Sequence, residues 1–194
     1  MLMLQPTEQI YDLEKIKKVA NESIVCGAVT DDYPLDLKQT HKLLNEALAG
    51  EILCVLRYRH HQIIAKGIDF PQVAAEFKEH AEEESEHMLI IAERIDQLGG
   101  DPDFNPKTII ERSPTEYGSA SGVSLHELIK EDLVSERIVI EIYRKMIHYF
   151  GSADPTTRRM FEHILEEEEE HASELADLLA AVDPRSAPRE TESA

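Results

Sequence analysis

The sequence predicts an all-α protein: a four-helix bundle of two antiparallel hairpins joined by one long crossover, preceded by a helical extension. Three observations predict this fold. No strand-like alternation of apolar and polar residues occurs, and the 9 prolines and 8 glycines lie mostly between long stretches of good helix formers. The connections are also unequal, because three to five residues join the helices within each pair and about 23 join the two pairs. Short connections favour antiparallel neighbours.

The first half of the chain contains an extension and two long helices. Residues 1–34 form the predicted N-terminal extension, with a short amphipathic helix over about residues 7–20. The bundle spans residues 35–182. Its first helix covers about residues 36–66 and is stopped by Gly67, and its second begins near Pro71 and ends at Gly99 and Gly100.

The second half supplies the crossover and the other hairpin. Ser124 and Glu127 form a capping box that begins the third helix, which ends before Gly151. Asp154 is the predicted N-cap of the fourth helix, which begins at Pro155 and ends near residue 182, and a disordered tail is expected over residues 183–194. Extended, the crossover (101–123) would reach about 75 Å against about 40 Å for one helix, so it can run the length of the bundle. Residues 106–112 could form a short helix within it.

The charge balance limits the classes of partner. The chain has 39 Asp and Glu against 20 Lys and Arg, a formal net charge of −19. We therefore expect no nucleic acid and no anionic membrane as partners. Disorder is excluded because 42% of the residues are hydrophobic. Two cysteines, Cys26 and Cys54, make no disulfide framework, and no apolar run is long enough for a membrane span, so a cytoplasmic protein is expected.

Acidic residues interrupt the apolar stripe of every long helix near its middle. The residues are Glu51, Glu84, Glu136 and Glu168, and two of the helices add a histidine three residues later, His87 and His171. Buried carboxylates are costly unless they are paired, protonated or bound to metal. Spacings of 33 and 32 residues between the glutamates of each hairpin place them side by side. Four carboxylates and two imidazoles suit two divalent iron or manganese ions, whereas surface acids on ordinary helices would not recur at matching depth.

These motifs resemble the ferritin-like superfamily, and bacterioferritins most closely. The resemblance rests on four segments of the chain. They are residues 50–58, with Glu51 and Tyr58, and the segments that contain Glu84 with His87, Asp132 with Glu136, and Glu168 with His171. The resemblance implies that Glu84 and Glu168 bridge two irons, that Glu51 and Glu136 are terminal ligands, and that His87 and His171 each complete one iron. Ser85 stands where haem-binding members have methionine, so no haem is expected. The long N-terminal extension, and the lack of a fifth helix, resemble Dps-like proteins with a bacterioferritin-type centre.

Several neighbouring residues are candidates for supporting roles. A metal-bound histidine normally donates its other N–H to a carboxylate. Asp132 could hold His171 in this way, and Glu167 could hold His87, although a solvated surface is an equal interpretation for Glu167. Tyr58 would hydrogen-bond a ligand carboxylate or donate an electron, or be a plain core tyrosine. Cys54 is expected to be a small buried hydrophobe rather than a redox group, and His80 either supports the centre or lies at the surface edge.

The resulting functional hypothesis is an iron-storage ferroxidase. Two iron ions per chain would be oxidised from Fe(II) to Fe(III) by O₂ or H₂O₂, and the mineral would be stored in a homo-oligomeric shell of 12 or 24 subunits; manganese or zinc could occupy the site after purification. The alternative is a rubrerythrin-like peroxidase or di-iron oxidase without storage. That group has a further glutamate where this chain has Val139. DNA protection of the Dps type is disfavoured by the net charge.

Overall fold

A computed structural model describes residues 11–65, 70–118 and 124–182. Within these ranges the chain forms six α-helices and one short 3-10 turn, Ile24–Cys26, and no strand. The helices are α1 (Leu13–Glu22), α2 (Leu37–Ile64), α3 (Phe70–Gln97), α4 (Pro106–Arg112), α5 (Leu125–Phe150) and α6 (Pro155–Val182). The all-α four-helix bundle predicted from the sequence is confirmed, with α2, α3, α5 and α6 as its long helices.

Capping side chains explain where three of the long helices begin, and two of them, at Ser124 and Asp154, were predicted. The Asp36 side chain accepts a hydrogen bond from the backbone N–H of Gln39 at 2.7 Å. Ser124 and Glu127 make the full capping box of α5. Asp154 accepts from the backbone N–H of Thr157 at the start of α6. Each contact satisfies a donor that a helix end would otherwise leave unpaired.

Two predicted boundaries differ from the structure. The extension helix covers Leu13–Glu22 rather than residues 7–20, because the Asp12 side chain accepts from the backbone N–H groups of Glu14 and Lys15 and so begins it later. Residues 7–10 lie outside the described ranges. Helix α2 ends at Ile64, and the predicted stop at Gly67 also lies outside the described residues. The short helix considered for the crossover is present as α4 over the same residues.

The contacts between helices define two antiparallel hairpins, α2 with α3 and α5 with α6. The Tyr58 hydroxyl of α2 donates to Glu136 of α5, and the Tyr143 hydroxyl of α5 donates to Glu51 of α2. Residues later in α2 therefore meet residues earlier in α5, so these two helices are also antiparallel. This pairing requires the crossover to run along the bundle.

The crossover follows α2 for three turns. Arg112 donates to the carbonyl of Asn45 at 2.6 Å, and Arg57 donates to the carbonyl of Glu116 at 3.2 Å. Between these two anchors, a Cβ placed on Gly50 would lie 3.3 Å from the Pro114 ring, so a glycine permits the close approach. The crossover therefore covers the side of α2 that faces away from α3.

The interior contains two apolar clusters separated along the bundle axis. The first core includes Leu44, Leu48, Ile91, Tyr143 and Phe161, and the second core includes Tyr58, Phe77, Ala81, Leu128 and Leu175. Within each long helix, the predicted glutamate lies between residues of the two cores. The described helices include none that is long and apolar enough to span a bilayer.

One polar cluster ties the extension to the bundle. The Tyr33 hydroxyl donates to Asp154 at 2.9 Å, and Asp154 also accepts two hydrogen bonds from Arg94 of α3, each at 3.0 Å. Burial raises the pKa of Tyr33 to about 12; the contact with Asp154 adds to this rise, and the hydrogen bond with Thr40 opposes it. The start of α6, α3 and the end of the extension are thus held at one point.

Candidate metal centre

The six residues predicted as ligands meet in one layer between the two cores. Each side chain is fully enclosed, with at most 1% of the residue exposed, and the set is Glu51, Glu84, His87, Glu136, Glu168 and His171. Residues three apart share a helix face, which brings each histidine to the same side as its glutamate. The antiparallel hairpins then place α2 and α5 opposite α3 and α6 at this level.

These side chains form two overlapping groups of four. Their candidate ligand atoms lie within 4.8 Å of one another in each group. One group contains Glu51 and His87, the other contains Glu136 and His171, and both contain Glu84 and Glu168. Two ion positions that share two carboxylates are the arrangement expected of a dinuclear site.

The shared carboxylates direct one oxygen to each position. Nδ1 of His87 lies 3.6 Å from Oε2 of Glu84 and 3.4 Å from Oε1 of Glu168. Nδ1 of His171 lies 3.7 Å from Oε1 of Glu84 and 3.8 Å from Oε2 of Glu168. Both carboxylates are therefore placed to bridge two cations, and Glu51 and Glu136 are placed to bind one each.

The donor atoms of this layer fit divalent metal ions because the protein leaves them without hydrogen bonds. Eight buried atoms of the six residues have no hydrogen-bond partner in the protein: Oε2 of Glu51 and of Glu136, both carboxylate oxygens of Glu84 and of Glu168, and Nδ1 of His87 and of His171. Unpaired buried polar atoms are rare in folded proteins, since each carries a desolvation cost. Bound cations would satisfy all of them together.

Electrostatics support the same interpretation. Burial, and next the charge of Glu84, raise the pKa of Glu51 and of Glu168 well above the usual range. Burial also acts to raise the pKa of Glu84, but contacts with Glu51 and the two histidines outweigh it and lower that pKa. For His171, burial is outweighed by the nearby carboxylates, chiefly Glu84, which raise its pKa to about 9. In the absence of metal, protons therefore compete for the ligand atoms.

Two tyrosines hold the terminal carboxylates. Tyr58 donates to Oε1 of Glu136, and Tyr143 donates to Oε1 of Glu51. Both hydroxyls are buried, and each leaves the other oxygen of its carboxylate facing the site. The contact of Tyr58 with a ligand carboxylate was among its predicted roles. Tyr143 was missed, although it follows Glu136 by seven residues just as Tyr58 follows Glu51.

The outward nitrogen of each histidine contacts a glutamate. Nε2 of His87 lies 2.5 Å from Glu167, one of the two interpretations that the sequence left open for this glutamate, and Nε2 of His171 lies 2.7 Å from Glu83. Such contacts fix the orientation of the ring and leave Nδ1 directed at the site. Glu83 immediately precedes Glu84, as Glu167 precedes Glu168, so the repeat of the motif was the signal that could have identified it.

The prediction that Asp132 holds His171 is wrong. Asp132 instead accepts from Nε of Arg57 at 2.8 Å and contacts Nδ1 of His61 at 2.7 Å. All three side chains are buried. The physical reason is the helix arrangement: Asp132 on α5 faces α2, whereas His171 on α6 faces α3. A buried arginine needs a carboxylate partner, so Arg57, one turn before His61, was the available signal.

The remaining candidates are also placed. Cys54 is buried and accepts a hydrogen bond from Arg57 at 3.3 Å, and burial raises the pKa of its thiol, which disfavours the thiolate. His80 is buried rather than at the surface edge. The Ser85 hydroxyl donates to the carbonyl of Ala81 one turn earlier. The expectation of no haem stays a prediction.

Comparison with known proteins identifies the family. The profile of the ferritin-like domain matches residues 41–183, which is most of the chain. The chain belongs to the ferritin-like family. The chain is 30% identical to a nutrient stress-induced DNA-binding protein of Nostoc over 92% of this chain and 89% of the relative. It is 29% identical to a bacterioferritin of Desulfovibrio desulfuricans, over 67% and 68% of the two chains.

A solved structure extends this likeness to three dimensions. The bacterioferritin-related protein of Bacteroides fragilis, described as a dodecameric thioferritin, superposes with a TM-score of 0.75 at 31% identity. The match covers 89% of this ferritin-like chain and 96% of the Bacteroides chain. The two chains therefore share one fold over most of their length.

Proposed function

We propose that this ferritin-like protein is an iron-storage ferroxidase. It would bind two Fe(II) ions per chain at the six residues of the centre, oxidise them with O₂ or H₂O₂, and retain Fe(III) as mineral inside a shell. The observation that carries the proposal is the pair of overlapping ligand groups, whose shared carboxylates have no hydrogen bonds of their own. Membership of the ferritin-like family supports it.

Iron is the substrate in this proposal, and the oxidation balances with two ions. Two Fe(II) supply two electrons, which with two protons reduce one H₂O₂ to two H₂O, or one O₂ to one H₂O₂. Glu84 and Glu168 hold the two ions close enough to share one oxidant. Four carboxylates offset the four positive charges of two Fe(II), so binding removes the cost of burying the acids.

The protein's own groups set the geometry. The hydroxyls of Tyr58 and Tyr143 each hold one oxygen of a terminal carboxylate, so that the other oxygen faces the site. Glu167 and Glu83 orient the two imidazoles. The two cores exclude water from both sides of the ligand layer. The residues therefore act by binding and orienting iron, and the site requires no pocket for an organic substrate.

Storage requires a shell, and we propose a homo-oligomer of 12 subunits. The Bacteroides relative described as dodecameric supports this number, and 24 remains the alternative. With a chain of 22.0 kDa, a dodecamer would have a mass of 12 × 22.0 = 264 kDa and a 24-mer twice that. Native mass spectrometry distinguishes the two, and a monomer or dimer would contradict storage.

The function is tested by Fe(II) oxidation followed in stopped flow, with total iron measured in the soluble protein. We expect fast oxidation of about two Fe(II) per chain, then retention of many more per shell. The double variant Glu84→Ala and Glu168→Ala should lose the fast phase, and the surface variant Glu86→Gln should keep it. Only two irons per chain with sustained peroxide turnover would instead support a rubrerythrin-like peroxidase or oxidase.

Two expected absences complete the proposal. Ser85 offers a hydroxyl in place of a thioether, so purified protein is expected to show no Soret band after incubation with haem. A net charge of −19 opposes binding to phosphate backbones, although the Nostoc relative is named as DNA-binding. A gel shift at physiological salt that survives competition would contradict the second expectation.

A further inference from the structure

A third group of candidate ligands lies outside the proposed iron centre. It consists of Glu76 and His80, one turn apart on α3, and Glu174 on α6. Nε2 of His80 lies 3.0 Å from Oε2 of Glu174 and 3.8 Å from Oε1 of Glu76. The three candidate ligand atoms lie within 4.8 Å of one another. One imidazole and two carboxylates are a common donor set for a divalent cation.

Packing holds the His80 ring in this orientation. The residue is only 1% exposed, its ring stacks on His171 with centroids 4.1 Å apart, and it meets the Tyr58 ring edge-on at 5.2 Å. Its Nδ1 is buried and has no hydrogen-bond partner, so no contact at that atom determines which ring nitrogen carries the hydrogen. Nε2 can therefore serve either as a hydrogen-bond donor or as a metal ligand.

A hydrogen on Nε2 of His80 does not satisfy both glutamates. A hydrogen on Nε2 reaches Glu174, whereas Glu76 at 3.8 Å is beyond hydrogen-bond distance. In the described part of the chain, neither glutamate forms an ion pair with Lys or Arg. Negative charges are crowded around Glu174. Burial, and next the charges of Glu76 and Glu170, raise the pKa of Glu174 to about 7. A divalent cation could contact all three atoms at once and offset both carboxylates.

A small acidic cavity lies beside the group. Its volume is about 110 Å³, and its lining is Glu79, Glu83, Glu167, Glu170, His171 and Glu174. Glu174 thus belongs both to the third group and to the wall of a polar space that reaches His171. A polar cavity of this volume has room for water, and its carboxylates favour a hydrated cation.

The third group is not a by-product of the repeated motif. The two hairpins repeat with Glu84 corresponding to Glu168, and by this register Glu76 and His80 correspond to Met160 and Ile164. Those positions belong to the first core. The polar group is therefore confined to the His171 side of the centre, where it has a cavity beside it.

The geometry points to a third divalent-cation site at Glu76, His80 and Glu174, next to the Glu136 and His171 position. The identity of the cation as Fe(II) rests on the proposed function, whereas the site itself does not. In the ferritin-like assembly, such a site would place one further cation beside the centre without sharing any of its six ligands. It would give the two positions of the centre unequal surroundings.

The test uses full-length protein and Zn²⁺ alone. Crystals soaked in Zn²⁺ and measured on both sides of the zinc absorption edge should show three anomalous peaks per chain. The double variant Glu76→Gln and Glu174→Gln should lose only the third peak. The matched control Glu86→Gln and Glu166→Gln changes two exposed glutamates on the same helices and should keep all three. Calorimetric titration in solution should fall from about three to about two Zn²⁺ per chain only in the first variant.

The outcomes separate the two proposals. Peaks at the two positions of the centre and none at the third overturn the third site alone. A peak at the third position without the other two overturns the dinuclear centre and leaves the third site supported. No peaks overturn both, and a third peak that persists in the variant overturns the ligand assignment. His80→Gln provides a further variant that should also lose only the third peak.

Discussion

Replacing Asp132 distinguishes its observed role from the one suggested by sequence spacing. In the variant Asp132→Asn, the carboxylate that faces Arg57 and His61 loses its charge, while the side chain keeps its size. Both Arg57 and Asp132 are fully buried, so the guanidinium charge remains without compensation. We therefore expect a large loss of stability together with unchanged metal binding.

The magnitude follows from the burial. Removing one partner of a buried ion pair costs about 3–5 kcal/mol. Asparagine retains a carbonyl oxygen that can accept from Arg57, so about 3 kcal/mol is expected for Asp132→Asn and about 5 kcal/mol for Asp132→Ala. For a chain of this length, about 2–4 °C per kcal/mol corresponds to a fall in Tm of about 6 °C to about 20 °C.

Calorimetry of metal-free protein at one fixed concentration measures this fall, and Zn²⁺ titration measures the stoichiometry. Asp177→Asn, an exposed substitution on α6, is the matched control and should change stability by less than about 0.5 kcal/mol. The reasoning is refuted if Asp132→Asn matches the control in stability. It is equally refuted if the variant loses the ion at His171, because Asp132 would then act on that histidine.

Three further predictions concern the centre itself. Tyr143→Phe removes the donor to Glu51 and should lower the free energy of unfolding of metal-free protein by about 1–3 kcal/mol in urea. The variant should still bind two metal ions per chain when they are added. A loss of one ion would contradict a purely orienting role. Glu167→Gln should weaken Zn²⁺ binding at the His87 position by about 10- to 100-fold in calorimetry. An affinity equal to that of the unsubstituted protein would show that this contact does not contribute to metal binding. Because the pKa of His171 is raised to about 9, its contribution to metal-free stability is complete below pH 6.5 and is lost as pH rises to 9. The Tm of metal-free protein should fall over that interval and that of Zn²⁺-loaded protein should not; parallel curves would contradict the assignment.

The ligands could be predicted because their signal is local. A glutamate within an apolar stripe can be recognised from the sequence of its own helix. The spacing of Glu84 and His87 likewise follows from helix geometry alone. Caps at Asp36 and Ser124 are likewise encoded within a few residues. The sequence was therefore sufficient for the helices and the layer in which the site lies.

The supporting contacts depend on which helices face each other, and that is decided by packing over the whole bundle. Asp132 was assigned to His171 from register along one helix, but α5 faces α2 at this level and Arg57 was available there. Tyr143 and Glu83 have a local signal of another kind, the internal repeat of the two hairpins. Their positions repeat those of Tyr58 and Glu167, so the repeat extends beyond the ligands to these supporting residues.

The ligand layer between the two cores has a consequence for how the molecule opens. Each core is apolar, whereas the layer between them contains buried carboxylates and imidazoles, eight atoms of which have no hydrogen-bond partner. Without metal, the four helices cross a polar layer whose buried atoms lack hydrogen-bond partners, and amide hydrogens near Glu51 and Glu136 should exchange by local opening there. With metal, the two cores become one cooperative unit, and the same amides should exchange only through global unfolding. Bound metal ions would in this way join the two cores into one unit of stability.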